Sequence, residues 1–293
     1  MLKYTVSSSR RLWLLICTYI VGFVIASVAL GVLMAVGSNK LAMMRIGIVV
    51  QDVFMLVAPA VLTAVLVTHR PVEMLSLGKF PRLQPLLLGI LTLVVATPLM
   101  EGIVLWNQNI TLPHSMAAFE NFMRQLEEQA GGSVEFLLGP HTVGNLMVSI
   151  LLVGVLTGFS EELFFRGALQ RLLASTRMGS HAAIWIAAFV FSAVHLQFFG
   201  FVPRLLLGAF FGYLLLWSGS IWLPMIAHTL NNSLYIITRY ANGGDVSDAV
   251  TATNTSWVAM LISAVFTAVC LTALYMSCAK KPDDSPLNDN PAE

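Results

Sequence analysis

Charge is what this chain has least of. Only 11% of its 293 residues are Asp, Glu, Lys or Arg, against about one quarter in ordinary soluble domains. The net charge is +1, so nothing suggests a nucleic-acid partner, and none is expected. Cysteine is scarce as well. Cys17, Cys270 and Cys278 sit inside or at the edge of apolar runs. Their spacing fits neither a zinc framework nor a disulfide framework, and they read as small packing residues. Alternating apolar and polar strands are missing, which excludes a membrane β-barrel. No small-residue cleavage site follows the apolar run after Arg11, so that run reads as a first span rather than a removable leader.

What is present is apolar length. Hydrophobic residues make up 57% of the sequence and the mean hydropathy is +0.80. Several runs reach the roughly 18 residues that cross a bilayer as a helix. The sequence therefore predicts an all-α polytopic membrane protein of about eight transmembrane helices with a polar intramembrane cavity. The expected spans are 12–37, 46–68, 84–106, 142–170, 182–200, 203–218, 221–240 and 256–278. An even number puts both termini on one side. Lys3, Arg10, Arg11, Arg70, Lys79, Arg82, Arg166, Arg171, Arg177, Lys280 and Lys281 fall on that side; Lys40, Arg45, Arg124, Arg204 and Arg239 fall on the other. The bias places both termini in the cytoplasm, although Lys40 and Arg45 run against it.

The organisation follows. Residues 1–140 hold N-terminal spans and an external connection, 107–141. Within it "SMAAFENFMRQLEEQ" sets Met116, Phe119, Phe122, Met123 and Leu126 at helical spacing, an amphipathic helix for the outer interface or for the tops of the spans. Residues 141–240 hold the polar core, 241–279 a final span, and 280–293 a polar, Pro-containing tail expected to be disordered.

Ionisable groups inside a membrane need partners, a wet cavity or a job, since each costs about 2.5–3.5 kcal/mol at mid-bilayer on insertion scales. Between Pro140 and Tyr240 the acidic residues are Glu161 and Glu162, in "GFSEELFFRG". Glu162 and Arg166 are four apart, so they share a helix face and can pair. Glu161 is turned by about 100° from Glu162, has no local cation, and is the better general base. His195 and His228 lie deep in later spans. Phe191 precedes His195 by four residues, and Asn232 follows His228 by four. Depth counting from the expected boundaries places Glu161 and His228 about 10–15 Å from the cytoplasmic face, with His195 slightly deeper. A cytoplasm-facing cavity would unite them.

Two chemistries are open to such a set. A carboxylate and a neutral imidazole can deprotonate a water, while a second imidazole and a carboxamide donate to an oxyanion. Alternatively Glu161, His195 and His228 could hold a zinc ion with a position open for water. Both end in peptide hydrolysis. Taken singly, each residue also has a plain structural use: a buried histidine, an i,i+4 ion pair, an interhelical Asn contact. Asp52, midway along the second span, reads as a polar contact.

"EELFFR" matches an E-E-x-x-x-R motif, "FSAVH" an F-x-x-x-H motif and "HTLNN" an H-x-x-x-N motif. Together, in that order, they resemble the CPBP family: the CAAX proteases and bacteriocin-processing enzymes, also called Abi. The eight-span pattern resembles the type II CAAX prenyl endopeptidase branch. The resemblance covers roughly Leu146 to Tyr240. It implies that Glu161 and His195 activate water, that His228 and Asn232 stabilise the oxyanion, and that Glu162 and Arg166 shape the site. It leaves open a glutamate-type or a metalloprotease mechanism. It implies a peptide or membrane-protein substrate in contact with lipid. The short loops look like bacterial members, hence a bacterial cytoplasmic membrane. The competing expectation is a non-enzymatic immunity or scaffold protein of the same fold.

Overall fold

The computed structural model describes residues 7–243 and 256–279. The polar tail 280–293 lies outside the described residues, as do Lys3, Lys280 and Lys281. Among the described residues there are helices and turns and no strand. In lipid a lone helix satisfies its own backbone groups, so apolar runs of this length have one cheap conformation.

The long helices are α1 (Ser8–Val36), α2 (Lys40–Val67), α3 (Leu83–Gln108), α4 (Ala117–Leu138), α5 (Val143–Ala174), α6 (Gly179–Ala193), α7 (Phe201–Ser218), α8 (Trp222–Ala241) and α9 (Trp257–Ala279). Leaving α4 aside, eight rods stand at the eight expected segments. Six of the membrane segments are long and apolar enough to cross a bilayer, so this is an integral membrane protein. The two that fall short are informative. α6 has 15 residues, about 22 Å at the helical rise, less than the roughly 30 Å hydrocarbon core. α8 is long enough but carries His228, Asn231 and Asn232. These are the rods next to His195 and containing His228.

α1 packs on α2, α3 on α9, α6 on α7, and α8 on α5. The main apolar core gathers Leu15 of α1, Ala60 and Ala64 of α2, Phe165, Ala168 and Leu172 of α5, and Met225 of α8. α5 runs through its centre. Hydrogen bonding widens to the i→i+5 pattern at Asp52–Val57, Ile150–Leu156 and Leu163–Gln170. Two of these wide stretches bracket Thr157–Glu162, the short α-helical piece bearing both carboxylates. Such widenings recur at functional sites.

One end of the bundle gathers the start of α1, the 70–82 connection and the α5–α6 and α7–α8 turns. Ser8 donates to the Ser175 carbonyl, Arg171 bonds Ser76, the Ile221 N–H reaches the Ser76 carbonyl, and the Trp222 indole donates to the Leu77 carbonyl. The opposite end carries α4 and the α6–α7 turn. α4 keeps Met123, Leu137 and Leu138 buried and leaves Phe119 and Phe122 exposed. Arg45 of α2 donates to the Leu137 and Leu138 carbonyls, fastening the end of α4. Cys17, Cys270 and Cys278 are free thiols.

Candidate active site

The two neighbouring glutamates lead separate lives. Glu162 is fully buried, and its Oε1 accepts 2.7 Å from Arg166 Nη1 and 2.8 Å from His228 Nδ1. Arg166, equally buried, also donates from Nη2 to the Gly208 carbonyl at 2.9 Å. Its guanidinium lies 4.5 Å from the Phe191 ring centre and 5.5 Å from that of Phe211. One turn on, Gln170 donates to the Gly212 carbonyl. The pair Arg166 and Gln170 thus meets the pair Gly208 and Gly212, both at i,i+4. A Cβ at 208 would come within 3.1 Å of the guanidinium and of Phe191, and one at 212 within 2.8 Å of Gln170 and Ile184. Glycine lets α7 come this close.

Glu161 turns toward the histidines. Its side chain is 14% exposed, and its oxygens lie 3.9 Å from His195 Nε2 and 3.5 Å from His228 Nε2. The other ring nitrogens fix what those Nε2 atoms are. His195 Nδ1 sits 2.7 Å from the Phe191 carbonyl. A carbonyl only accepts, so Nδ1 carries the hydrogen. His228 Nδ1 faces a carboxylate oxygen already accepting from Arg166, so it too carries a hydrogen. In its neutral form each imidazole would turn a bare Nε2 lone pair toward Glu161. Phe191 holds the rings edge-on, 5.1 Å from His195 and 6.0 Å from His228, and Phe211 stacks on His228 at 4.9 Å.

His195 follows the end of α6, where the backbone reverses. Leu196 adopts φ 55°, a left-handed conformation costing a non-glycine residue about 1–2 kcal/mol. Gln197 and Phe199 of that turn are gripped by Glu127 of α4, through the Gln197 amide at 3.3 Å and the Phe199 N–H at 3.2 Å. The cavity drawn from depth counting faced the side of the termini. The turn that follows His195 lies at the opposite end, under α4, because α6 is short and its hairpin with α7 reverses there.

Asn232 is placed one turn past His228 as its spacing required. Its Nδ2 donates to the Val153 carbonyl at 3.2 Å, and its Oδ1 accepts from Asn231. One Nδ2 hydrogen is thus engaged with α5 and one remains. Asp52 gains a partner that sequence could not name: its Oδ2 accepts 2.9 Å from the Thr157 hydroxyl, one turn before Glu161.

For zinc, the donor chemistry fits, since a carboxylate and two imidazole lone pairs face one another. The spacing does not. Ligands at about 2.0–2.1 Å from a tetrahedral ion stand closer together than the 3.9 Å between Glu161 and His195. Among the described residues no three His, Cys, Asp or Glu side chains form a metal-holding group.

Gly208, Gly212, Phe211 and Gln170 were missed as parts of the site. The G-x-x-x-G spacing of the two glycines was a legible signal for close helix approach; Phe211 and Gln170 carried none.

Residues 143–234 match the family model described as type II CAAX prenyl endopeptidase Rce1-like. The matched stretch contains both glutamates, both histidines and Asn232. A 90-residue segment is 27% identical to the uncharacterized protein YpbD of Bacillus subtilis (strain 168), covering 29% of this protein and 43% of that one. The match therefore spans less than half the length of this curated relative. No solved structure matches the sequence.

Proposed function

We propose, from the premise that residues 143–234 match the Rce1-like type II CAAX prenyl endopeptidase family, that the protein is an intramembrane endopeptidase. It hydrolyses a peptide bond in a membrane-associated or C-terminal segment of a peptide or membrane protein. The observation that carries the reading is Glu161, set between two histidine Nε2 atoms at 3.9 and 3.5 Å.

The steps follow from the hydrogens. A water between Glu161 and His195 donates one hydrogen to His195 Nε2 and the other to the carboxylate. Glu161 takes that proton as the water oxygen attacks the peptide carbonyl carbon. The tetrahedral oxyanion needs donors. The free Nδ2 hydrogen of Asn232 is one. His228 supplies a second only as the imidazolium, because its neutral form spends its hydrogen on Glu162; carboxylates on both sides supply the counter-charge. Collapse expels the amine, which takes the proton from Glu161. The products are a carboxylic acid and an amine, and Glu161 is restored. Glu162, Arg166 and Phe191 do not touch the reacting atoms in this scheme. They hold the His228 and His195 rings in position.

The test is proteolysis of a candidate transmembrane peptide by the purified protein in liposomes. Glu161→Ala is expected to lower turnover by about 10²–10⁴-fold, the usual worth of a positioned general base. Equal turnover by the variant and the parent sinks the reading. The scaffold alternative draws on Asn232, whose Val153 contact is a plain interhelical tie. It predicts that Glu161→Gln leaves the cellular phenotype intact. The basic residues gathered where α1 begins support a cytoplasmic position for that end of the bundle, in a bacterial cell on this reading.

A further inference from the structure

Arg204 opens α7 at the edge of the site, and the proposed mechanism does not use it. Its guanidinium lies against Gly200, where a Cβ would come within 3.1 Å of Nη2. Nη2 donates to the Gln197 side-chain oxygen at 2.7 Å, two residues beyond His195. Nη1 is buried with no hydrogen-bond partner among the described residues. No ion pair joins Arg204 to any described carboxylate. It stands within electrostatic range of Glu161, Glu127 and His195. The other arginine beside the site, Arg166, is spent on Glu162 and the Gly208 carbonyl. Arg204 is therefore a cation held in a fixed seat by a neutral amide and a glycine, with donor capacity left over. A part-buried guanidinium with an orphan N–H is costly to keep and is suited to a planar carboxylate, which it can grip through two parallel bonds.

We propose that Arg204 is the specificity-determining residue of this site and binds a carboxylate of the peptide substrate. This rests on the protease reading. The carboxylate could be the terminal carboxylate of the peptide or an Asp or Glu side chain; both present the same two oxygens. Seated on Arg204, it fixes the register of the peptide across Glu161 and His195. Gln197 orients the guanidinium, and Glu127 of α4 holds Gln197 in turn.

The test is binding, which does not depend on turnover. Full-length Glu161→Gln protein in detergent is titrated with three fluorescein-labelled apolar peptides: a free C-terminal acid, its C-terminal amide, and the amide with one internal Glu. A charge-assisted pair predicts that one of the two carboxylate peptides binds at least about tenfold tighter than the plain amide, and which one identifies the source. In Glu161→Gln/Arg204→Gln the preference disappears. In Glu161→Gln/Arg204→Lys it is reduced but survives. Equal binding of all three peptides, no binding of any, or a preference that persists in the Arg204→Gln background overturns the proposal. In parallel, the parent protein is tested for cleavage of the same peptides. Cleavage without carboxylate preference leaves the protease reading standing and removes Arg204 from it. Preferential binding without cleavage by the parent protein does the reverse.

Discussion

At the scale of single residues, one hydrogen count organises the site. Glu162 accepts from two donors through one oxygen. That ties Arg166 and His228 together and leaves Glu161 to face both Nε2 atoms. Arg166 is the group whose loss should hurt stability most. Arg166→Met would leave the Glu162 charge buried without its cation, and breaking such a pair costs about 3–5 kcal/mol. The unfolding midpoint in detergent should drop sharply, and Glu162→Gln/Arg166→Met should recover part of the loss because the orphaned charge is gone. An unchanged midpoint for Arg166→Met would show that the pair does not hold the core. Sequence foresaw this pair, since i,i+4 spacing on a helix dictates it. It also singled out Glu161 by the lack of a local partner. It could not foresee that Asp52 meets Thr157, because their separation of 105 residues leaves no spacing rule to read.

At the scale of elements, α4 is the piece whose placement matters most for the site. Its Glu127 grips the turn after His195, and its start is anchored by Glu120. The Leu112 N–H and the Arg124 guanidinium hold the Glu120 carboxyl below its usual range. A depressed folded value means that this anchor is fully in place above the ordinary glutamate range, near 4.3. It fades as pH falls through the lower folded value. Hydrogen exchange at the Leu112 amide, corrected for its intrinsic rate, should show protection at neutral pH that is lost only in acid. Glu120→Gln should show weak protection throughout; protection matching the parent would remove Glu120 from the anchor. The amphipathic pattern of 116–126 predicted a helix here. The pattern alone left two placements for it. The structure uses both sides: Met123 is turned inward, while Phe119 and Phe122 are left exposed.

At the scale of the whole molecule, the helix pairings separate two ends, and the described basic residues Arg70 and Lys79 share one of them with the start of α1. Lys40 and α4 mark the other. Lys79→Cys and Lys40→Cys, each with Cys17, Cys270 and Cys278 replaced by alanine, should label with an impermeant thiol reagent from opposite faces of the membrane. Lys79 should be on the face shared with the N-terminus. Labelling from the same face would refute the arrangement of α1 and α2. The eight expected spans appear as eight rods. Their lengths differ in a way hydropathy could not fix, because a 15-residue helix such as α6 needs neighbours, not lipid, to cover its end.

The sequence by itself determined that this is a helical membrane protein, where its helices run, and which polar side chains share a face. Those facts follow from local rules: lipid forces each segment to satisfy its own backbone, and 3.6 residues per turn sets the faces. Only the tertiary structure decided that Glu161 meets both histidines at their Nε2 atoms, that Phe211 and two glycines of α7 wall the site, and that Arg204 stands at its edge with a donor to spare. Those depend on which helices cross and how closely, and crossings are settled by packing between segments far apart in the sequence.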